Sequence, residues 1–227
     1  MKSIIVDVDS HRDFMLPDGA LFVAADAMVR MAIARVWQHA QREGQPILGS
    51  VDSHAWDAWE FQPNGGPFPP HCIKGSPGWL RVFHDVPKRT RFVPMQGVDG
   101  GVHNLVGERS KGAGNRTLDA DALAAEALDG VGVYFEKEVY SLFANPAAAP
   151  VVAALVQALG GVEAVRFDVI GYCTGGYCVD AAAAGLRKLG YNVRVLAYAT
   201  APIGGASAAD RSAADLQAQG IEWVIAP

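Results

Sequence analysis

Reactive side chains in this sequence fall at a few separated points: Asp9, Asp52 with His54, Lys137, and Cys173 with Cys178. A thiol attacks an amide only as its thiolate, so a nucleophilic cysteine needs a base or a cation beside it. A carboxylate and a lysine supply proton transfer and positive charge. A second kind of chemistry is offered by Val51-Asp52-Ser53-His54-Ala55-Trp56-Asp57-Ala58-Trp59-Glu60, followed by Phe68-Pro69-Pro70-His71-Cys72. Two carboxylates and two imidazoles from such a stretch suit Zn, Mn or Fe(II), with positions left open to water. Taken singly, each residue also has an ordinary role. Cys178 is then a small buried hydrophobe, Asp9 a helix-capping acid, Lys137 a solvated charge and the D-x-H segment an exposed polar loop.

The elements that must position these residues read as α/β. Short Val- and Ile-rich runs alternate with longer Ala-rich or amphipathic segments, the pattern of a mostly parallel sheet with helices on both faces, a three-layer α-β-α architecture. Strands are expected over residues 3–8, 47–52, 132–136, 164–171, 193–197 and 222–225, and helices over 21–41, 148–159, 177–189 and 208–219. In open parallel sheets ligands bind outside the carboxyl ends of the strands, where loops converge and helix N-termini point outward. Four expected strand ends carry the reactive residues, so elements distant in sequence meet in one crevice. Cys178 opens a helix, and the N-terminal field together with a lysine is expected to lower its thiol pKa.

With 227 residues and 50% hydrophobic composition, the chain can bury one sizeable core, and a single domain over 1–227 is expected. A net charge of -5 with both signs interspersed gives no basic stripe for nucleic acid or an anionic membrane, so the expected partner is a small molecule. No signal-peptide pattern and no membrane-spanning run is present, which reads as cytoplasmic. Three cysteines (Cys72, Cys173, Cys178) do not form a secreted disulfide framework. Between Gln96 and Arg116 six glycines with scattered charge read as a long loop, a candidate lid. The composition is compatible with a homo-oligomer.

Pro69-Pro70-His71-Cys72-Ile73-Lys74-Gly75-Ser76-Pro77-Gly78 resembles the "PPHC..GTPG" run of nicotinamidases in the isochorismatase-like cysteine hydrolase family. Asp9-Ser10-His11-Arg12-Asp13-Phe14, with Gly19-Ala20-Leu21 downstream, is similar to the family's "DVQNDF...GGAL" opening, and the spacing selects Asp9 over Asp7. Lys137-Glu138-Val139-Tyr140-Ser141-Leu142-Phe143 looks like "KxxYSxF", and Gly171 to Val179 resembles "GxATDxCV", whose cysteine is the nucleophile. The matches run in order through most of the chain. The resemblance implies an isochorismatase-like, Rossmann-type fold and a triad of Asp9, Lys137 and Cys178 without histidine. It implies a divalent metal on Asp52, His54, Glu60 and His71, with Glu60 standing where many members have histidine, and an aromatic slot of Phe14, Phe68 and Tyr140. The implied reaction is hydrolysis of nicotinamide, or a related small aromatic amide, to the acid and ammonia, a step of NAD salvage. In nicotinamidases the metal is thought to bind the pyridine nitrogen or a water.

The sequence departs from the pattern in three places. The cysteine loop counted from Gly171 is one residue longer. Its cis peptide is expected at Cys173-Thr174 or Thr174-Gly175, with oxyanion donors among Cys173, Thr174, Gly175 and the residues up to Cys178. Glu138 replaces a common glycine, and the 96–116 insert is long. These departures keep open a related hydrolase acting on another small amide or an isochorismate-like substrate, and a non-catalytic ligand-binding member. A rival reading sees in Gly171-Tyr172-Cys173-Thr174-Gly175-Gly176 the G-x-C-x-G-G elbow of dienelactone hydrolases, with Cys173 as nucleophile. That arrangement needs a histidine after the nucleophile, and the last histidine here is His103.

Overall fold

The computed structural model describes residues 1–25, 27–83, 87–95 and 119–227. Its strands are β1 (Lys2–Val8), β2 (Ile47–Asp52), β3 (Arg89–Val93), β4 (Val131–Lys137), β5 (Val165–Thr174), β6 (Val193–Pro202) and β7 (Glu222–Val224). They form one sheet in the order β3-β4-β2-β1-β5-β6-β7, and every pairing is parallel. The helices are α1 (Arg12–Met15), α2 (Ala27–Arg42), α3 (Ala120–Leu128), α4 (Ala148–Leu159), α5 (Cys178–Lys188) and α6 (Ala206–Ala218).

Side chains alternate across a strand, so a sheet covered on both faces needs apolar residues at consecutive positions. β1 shows this directly. Ile4, Val6 and Val8 enter a core shared with Val151, Leu155, Val179 and Leu186 of α4 and α5, whereas Ile5 enters the opposite core with Ile33 and Trp37 of α2. The order reverses at β1, which pairs with β2 on one side and β5 on the other. That switch point opens a crevice at the carboxyl ends, and the adjacent strands β4, β2, β1 and β5 bring Lys137, Asp52, Asp9 and the cysteine loop side by side.

The departures from expectation have local causes. Residues 21–25 are not helical, because the Leu21 and Val23 amides donate to the carbonyls of Asp13 and Phe14, and helix α2 begins only at Ala27. β3 escaped notice because it is an edge strand whose Arg-Thr-Arg-Phe run is mostly exposed and lacks an apolar signature. The short α1 and the Asp119-capped α3 were also missed. β6 runs beyond residue 197 to Pro202, since its register shifts and then resumes pairing with Gly171, Tyr172 and Thr174. The glycine-rich insert at 96–116 lies outside the described residues. Among the described residues no helix is long and apolar enough to cross a membrane.

Candidate active site

Lys137 is the hub of the crevice. It ends β4 in register with Asp52 at the end of β2, and its side chain is fully buried. Nζ lies 2.6 Å from Asp52 Oδ1, 2.8 Å from Asp9 Oδ2 and 3.5 Å from Cys178 Sγ. Burial alone would push the ammonium toward neutrality, but the Asp52 and Asp9 carboxylates hold its pKa well above the usual lysine value. Asp9 follows β1 in left-handed backbone, φ 48°, a conformation aspartate tolerates better than most residues. Its amide donates to the Ser50 carbonyl at 3.1 Å, and Ser50 Oγ donates to Asp9 Oδ1 at 2.7 Å. Ser50 thus fixes the carboxylate so that its second oxygen faces Lys137. Asp7 points into a separate buried cluster, with Tyr134 Oη donating at 2.8 Å and Arg81 at 3.2 Å.

Cys178 is the first residue of α5, and it is the cysteine that Lys137 reaches. The expected lowering of its pKa is overturned. Burial raises the thiol well above its usual value, Lys137 opposes that rise, and Asp9 and Asp52 add to it. Burial thus favours the thiol over the thiolate, and attack calls for a base near the sulfur. Oxygens of Asp9 and Asp52 lie within 4.8 Å of Cys178 Sγ and of each other, which places a base within reach.

In the cysteine loop the cis peptide is Tyr172–Cys173, one bond before the two positions expected from the sequence. Gly175 is also corrected as an oxyanion donor: its N–H donates to Ser212 Oγ at 2.7 Å, and the Gly176 N–H donates to Asp180 Oδ2 at 2.5 Å. The Thr174 carbonyl accepts from the Ile203 amide at 3.0 Å. The first-turn amides of a helix have no partner within it, and in α5 those amides begin at Cys178 itself.

Beside this triad the four expected metal ligands converge. His54 Nε2 lies 3.4 Å from Asp52 Oδ2 and 2.9 Å from Glu60 Oε1; His71 Nε2 lies 3.9 Å and 3.2 Å from the same atoms. Metal–ligand bonds of roughly 2.0–2.1 Å in a tetrahedron put donor atoms about 3.3 Å apart, so these spacings fit a first-row divalent ion. Buried His54 Nε2 is crowded by two carboxylates without a well-formed hydrogen bond to either, and a cation at the centre would satisfy that nitrogen. His71 is oriented for ligation because its Nδ1 bonds the Pro69 carbonyl at 2.8 Å, leaving Nε2 for the ion. Burial disfavours a charged His54, yet the Asp52 and Glu60 carboxylates outweigh it and push the imidazole up to about 9, so without a metal the cluster takes up a proton.

Two loops must meet to build that cluster, and their backbones are laced together. The His54 amide donates to the Cys72 carbonyl at 3.1 Å and the Lys74 amide to the His54 carbonyl at 3.0 Å. Asp13 accepts from the Cys72 amide at 2.7 Å and the Ala20 amide at 2.9 Å, clasping the Pro-Pro-His-Cys loop to the opening motif. His11, which sequence reasoning passed over, is held neutral by burial. Its Nδ1 bonds the Trp79 carbonyl at 2.5 Å and its Nε2 accepts the Asp52 amide at 2.9 Å, fixing Asp52 from behind. The signal was present in the sequence as an imidazole two residues after Asp9.

Phe14, Phe68 and Tyr140 line one small cavity with Cys178, Cys173, Asp52, Glu60 and His71, and Leu21, Tyr177 and Ile203 complete its wall. Tyr177 closes the slot, its ring 6.1 Å from Phe68 and 5.4 Å from Tyr140. The remaining volume is about 20 Å³, so side chains must move aside to admit a ring. A cavity of about 1060 Å³ opens at the amino ends of the strands, near Lys2 and Arg166, but no cysteine lines it.

No family model matches the chain. A curated relative, named as an uncharacterized isochorismatase family protein PncA of Bacillus subtilis, is 32% identical over 79 residues, 34% of this chain, and the match spans 43% of that relative, less than half its length. Solved structures match over nearly the whole chain. The pyrazinamidase of Pyrococcus horikoshii in complex with zinc gives a TM-score of 0.68 at 23% identity, covering 99% of each chain. The nicotinamidase/pyrazinamidase of Bacillus subtilis gives 0.65 at 21%, covering 99% of this chain and 100% of that one. The yeast nicotinamidase bound to the inhibitor nicotinaldehyde gives 0.64 at 18%, covering 99% of both. The chain thus has the isochorismatase-like α/β fold, in agreement with the resemblance read from its motifs.

Proposed function

We propose that the chain is a nicotinamidase-like amidohydrolase that converts nicotinamide, or a related small aromatic amide, to the acid and ammonia through a thioester on Cys178. One observation carries this reading: Lys137 Nζ contacts Asp9, Asp52 and Cys178 at once, at 2.8, 2.6 and 3.5 Å. The solved structures of like fold named as nicotinamidases and pyrazinamidases add support.

Asp9 accepts the Sγ proton as sulfur attacks the amide carbon, and Lys137 steadies the charge that passes between them. The carbonyl oxygen, now an anion, faces the free amides of the first turn of α5. When the carbon–nitrogen bond breaks, Asp9 returns the proton to the departing nitrogen and ammonia leaves. Water then adds to the thioester with Asp9 as base, and the acid leaves as Cys178 regains its proton. Phe14, Phe68 and Tyr140 hold the ring edge and exclude water. Asp52, His54, Glu60 and His71 would hold a divalent ion (Zn, Mn or Fe), which supplies a Lewis-acidic anchor that orients the substrate.

The test is ammonia release from nicotinamide by the parent and by Cys178→Ala and Cys173→Ala. Loss with the first variant and retention with the second is expected; the reverse pattern revives Cys173 as nucleophile. A second reading rests on Glu138 and the lengthened cysteine loop, which depart from the nicotinamidase pattern: a related cysteine hydrolase acting on another small amide or an isochorismate-like substrate. A panel running from pyrazinamide to aliphatic amides and isochorismate-like substrates separates the two, and no turnover of any of them by the parent sinks both in favour of a ligand-binding protein.

A further inference from the structure

The cysteine loop holds a feature that the proposed chemistry does not use. Gly175 and Gly176 succeed one another in left-handed backbone, φ 102° and 92°, and a Cβ on Gly175 would lie 2.6 Å from the Ile203 carbonyl oxygen. Successive amides in such a turn form a concavity that receives anions. Beside an acyl-transfer nucleophile such a concavity would suit an oxyanion, yet the protein fills the position with its own groups. Gly176 N–H donates to Asp180 Oδ2 at 2.5 Å, Gly175 N–H donates to Ser212 Oγ at 2.7 Å, and the Ser212 hydroxyl donates to the same Asp180 oxygen at 2.5 Å.

The geometry encloses the nucleophile. Asp180 lies two residues after Cys178 on the rigid first turn of α5, and Gly176 lies two residues before it, so their bond closes a short ring of backbone around Cys178. Ser212, buried on α6, ties that ring to a second helix. Two consecutive glycines would otherwise be the most mobile part of the loop, and displacements of about 1 Å at a reacting group are enough to slow catalysis on the order of a hundredfold. We infer that Asp180 and Ser212 are positioning residues of the proposed hydrolase, a clamp that withdraws the Gly175–Gly176 turn from the reaction and holds Cys178 against Lys137. The clamp accommodates the extra residue of this loop as a turn pinned away from the sulfur. As a role in turnover the inference rests on the amidohydrolase reading; as a restraint on Cys178 it does not.

The experiment uses Ser212→Ala, Asp180→Ala and Asp180→Asn in the full chain, with two readouts. Site-resolved iodoacetamide labelling, followed by mass spectrometry, reports access to each cysteine, with buried Cys72 as internal control. Loss of these hydrogen bonds, part-buried at Ser212 and exposed at Gly176, is expected to raise Cys178 labelling roughly fivefold or more in both alanine variants while Cys72 is unchanged. Asp180→Asn, which keeps an acceptor oxygen, should recover most of the parent's protection. Steady-state kinetics on the best amide should show kcat falling about tenfold or more with KM within about twofold, the pattern of a group misplaced in the transition state. Unchanged Cys178 labelling in both alanine variants overturns the clamp, and a parallel rise at Cys72 overturns it in favour of a general stabilising role. If labelling shifts as expected but the parent hydrolyses no amide, the amidohydrolase reading fails and the clamp stands.

Discussion

Replacing Lys137 with methionine, of similar length but uncharged, removes the cation from between two buried carboxylates. In the parent, Nζ sits 2.8 Å from Asp9 and 2.6 Å from Asp52, and oxygens of the two acids lie within 4.8 Å of each other. At an effective dielectric near 20, two like charges about 4.8 Å apart repel by about 3.5 kcal/mol, in keeping with the ~3–5 kcal/mol that loss of one partner from a buried ion pair costs. That is a large part of a total stability of roughly 5–15 kcal/mol. The variant can relieve it only by binding a proton on the Asp9–Asp52 pair, so the pair titrates higher in the folded than in the unfolded chain. A group raised in this way stabilises at low pH and loses its contribution as pH rises through the folded value. The parent behaves differently. Asp52 is held below the ordinary carboxylate range, because Lys137 and His54 outweigh the burial that would raise it, and its contribution is lost only as pH falls below that range. Lys137 is held above its ordinary value, so its contribution is lost only at high pH. Urea unfolding in chelator should therefore show the loss caused by Lys137→Met, taken against the parent at the same pH, to be markedly larger at about pH 8 than at about pH 5; His54, raised to about 9, weakens parent and variant alike over that range and cancels in the difference. Equal losses at both pH values, or none, would refute the claim that Lys137 balances the two acids.

Metal affinity should rise with pH up to about 9, the value to which His54 is pushed, because the ion displaces the proton shared with Asp52 and Glu60. Calorimetry with Zn or Mn in buffers of different ionisation enthalpy should register about one proton released near neutral pH, and none released there would count against His54 as a ligand. Gly78→Ala should disorder the metal loop, since its Cβ would lie 2.2 Å from the Asp13 carboxylate that holds the Cys72 amide. A stability loss of about 1–3 kcal/mol with weakened metal uptake is expected, read by thermal unfolding and elemental analysis. Removing the His11 ring with His11→Ala frees the buried Asp52 amide and should cost ~1–3 kcal/mol in the same unfolding assay, while His11→Asn, which keeps an acceptor, should recover part of it.

The sheet was legible because its central strands are buried on both faces and so carry consecutive apolar residues such as Ile4-Ile5-Val6. Edge strand β3 was not, since half-exposed arginines carry no such signal. Asp9, Asp52, Lys137 and Cys178 could be named because each sits at a strand or helix end and in a motif, and His54, Glu60 and His71 because the loop motif carries them; the structure brings all of them into one crevice. What sequence could not give was the direction of the Cys178 pKa, which depends on the competition between burial, one lysine and two acids. Nor could it show the Gly175 amide turned toward Ser212, a partner that lies far along the chain.

Asp52 presents one oxygen to Lys137 and the other to the histidines of the metal cluster. The half of the crevice that carries Cys178 and the half that carries the candidate ion ligands therefore share a wall one residue thick. An exchange at Glu60 alters the coordination set and leaves the lysine hub as it stands, whereas any exchange at Asp52 unsettles both halves together. Position 60 is thus an address at which the ion preference can be redesigned without touching the lysine hub.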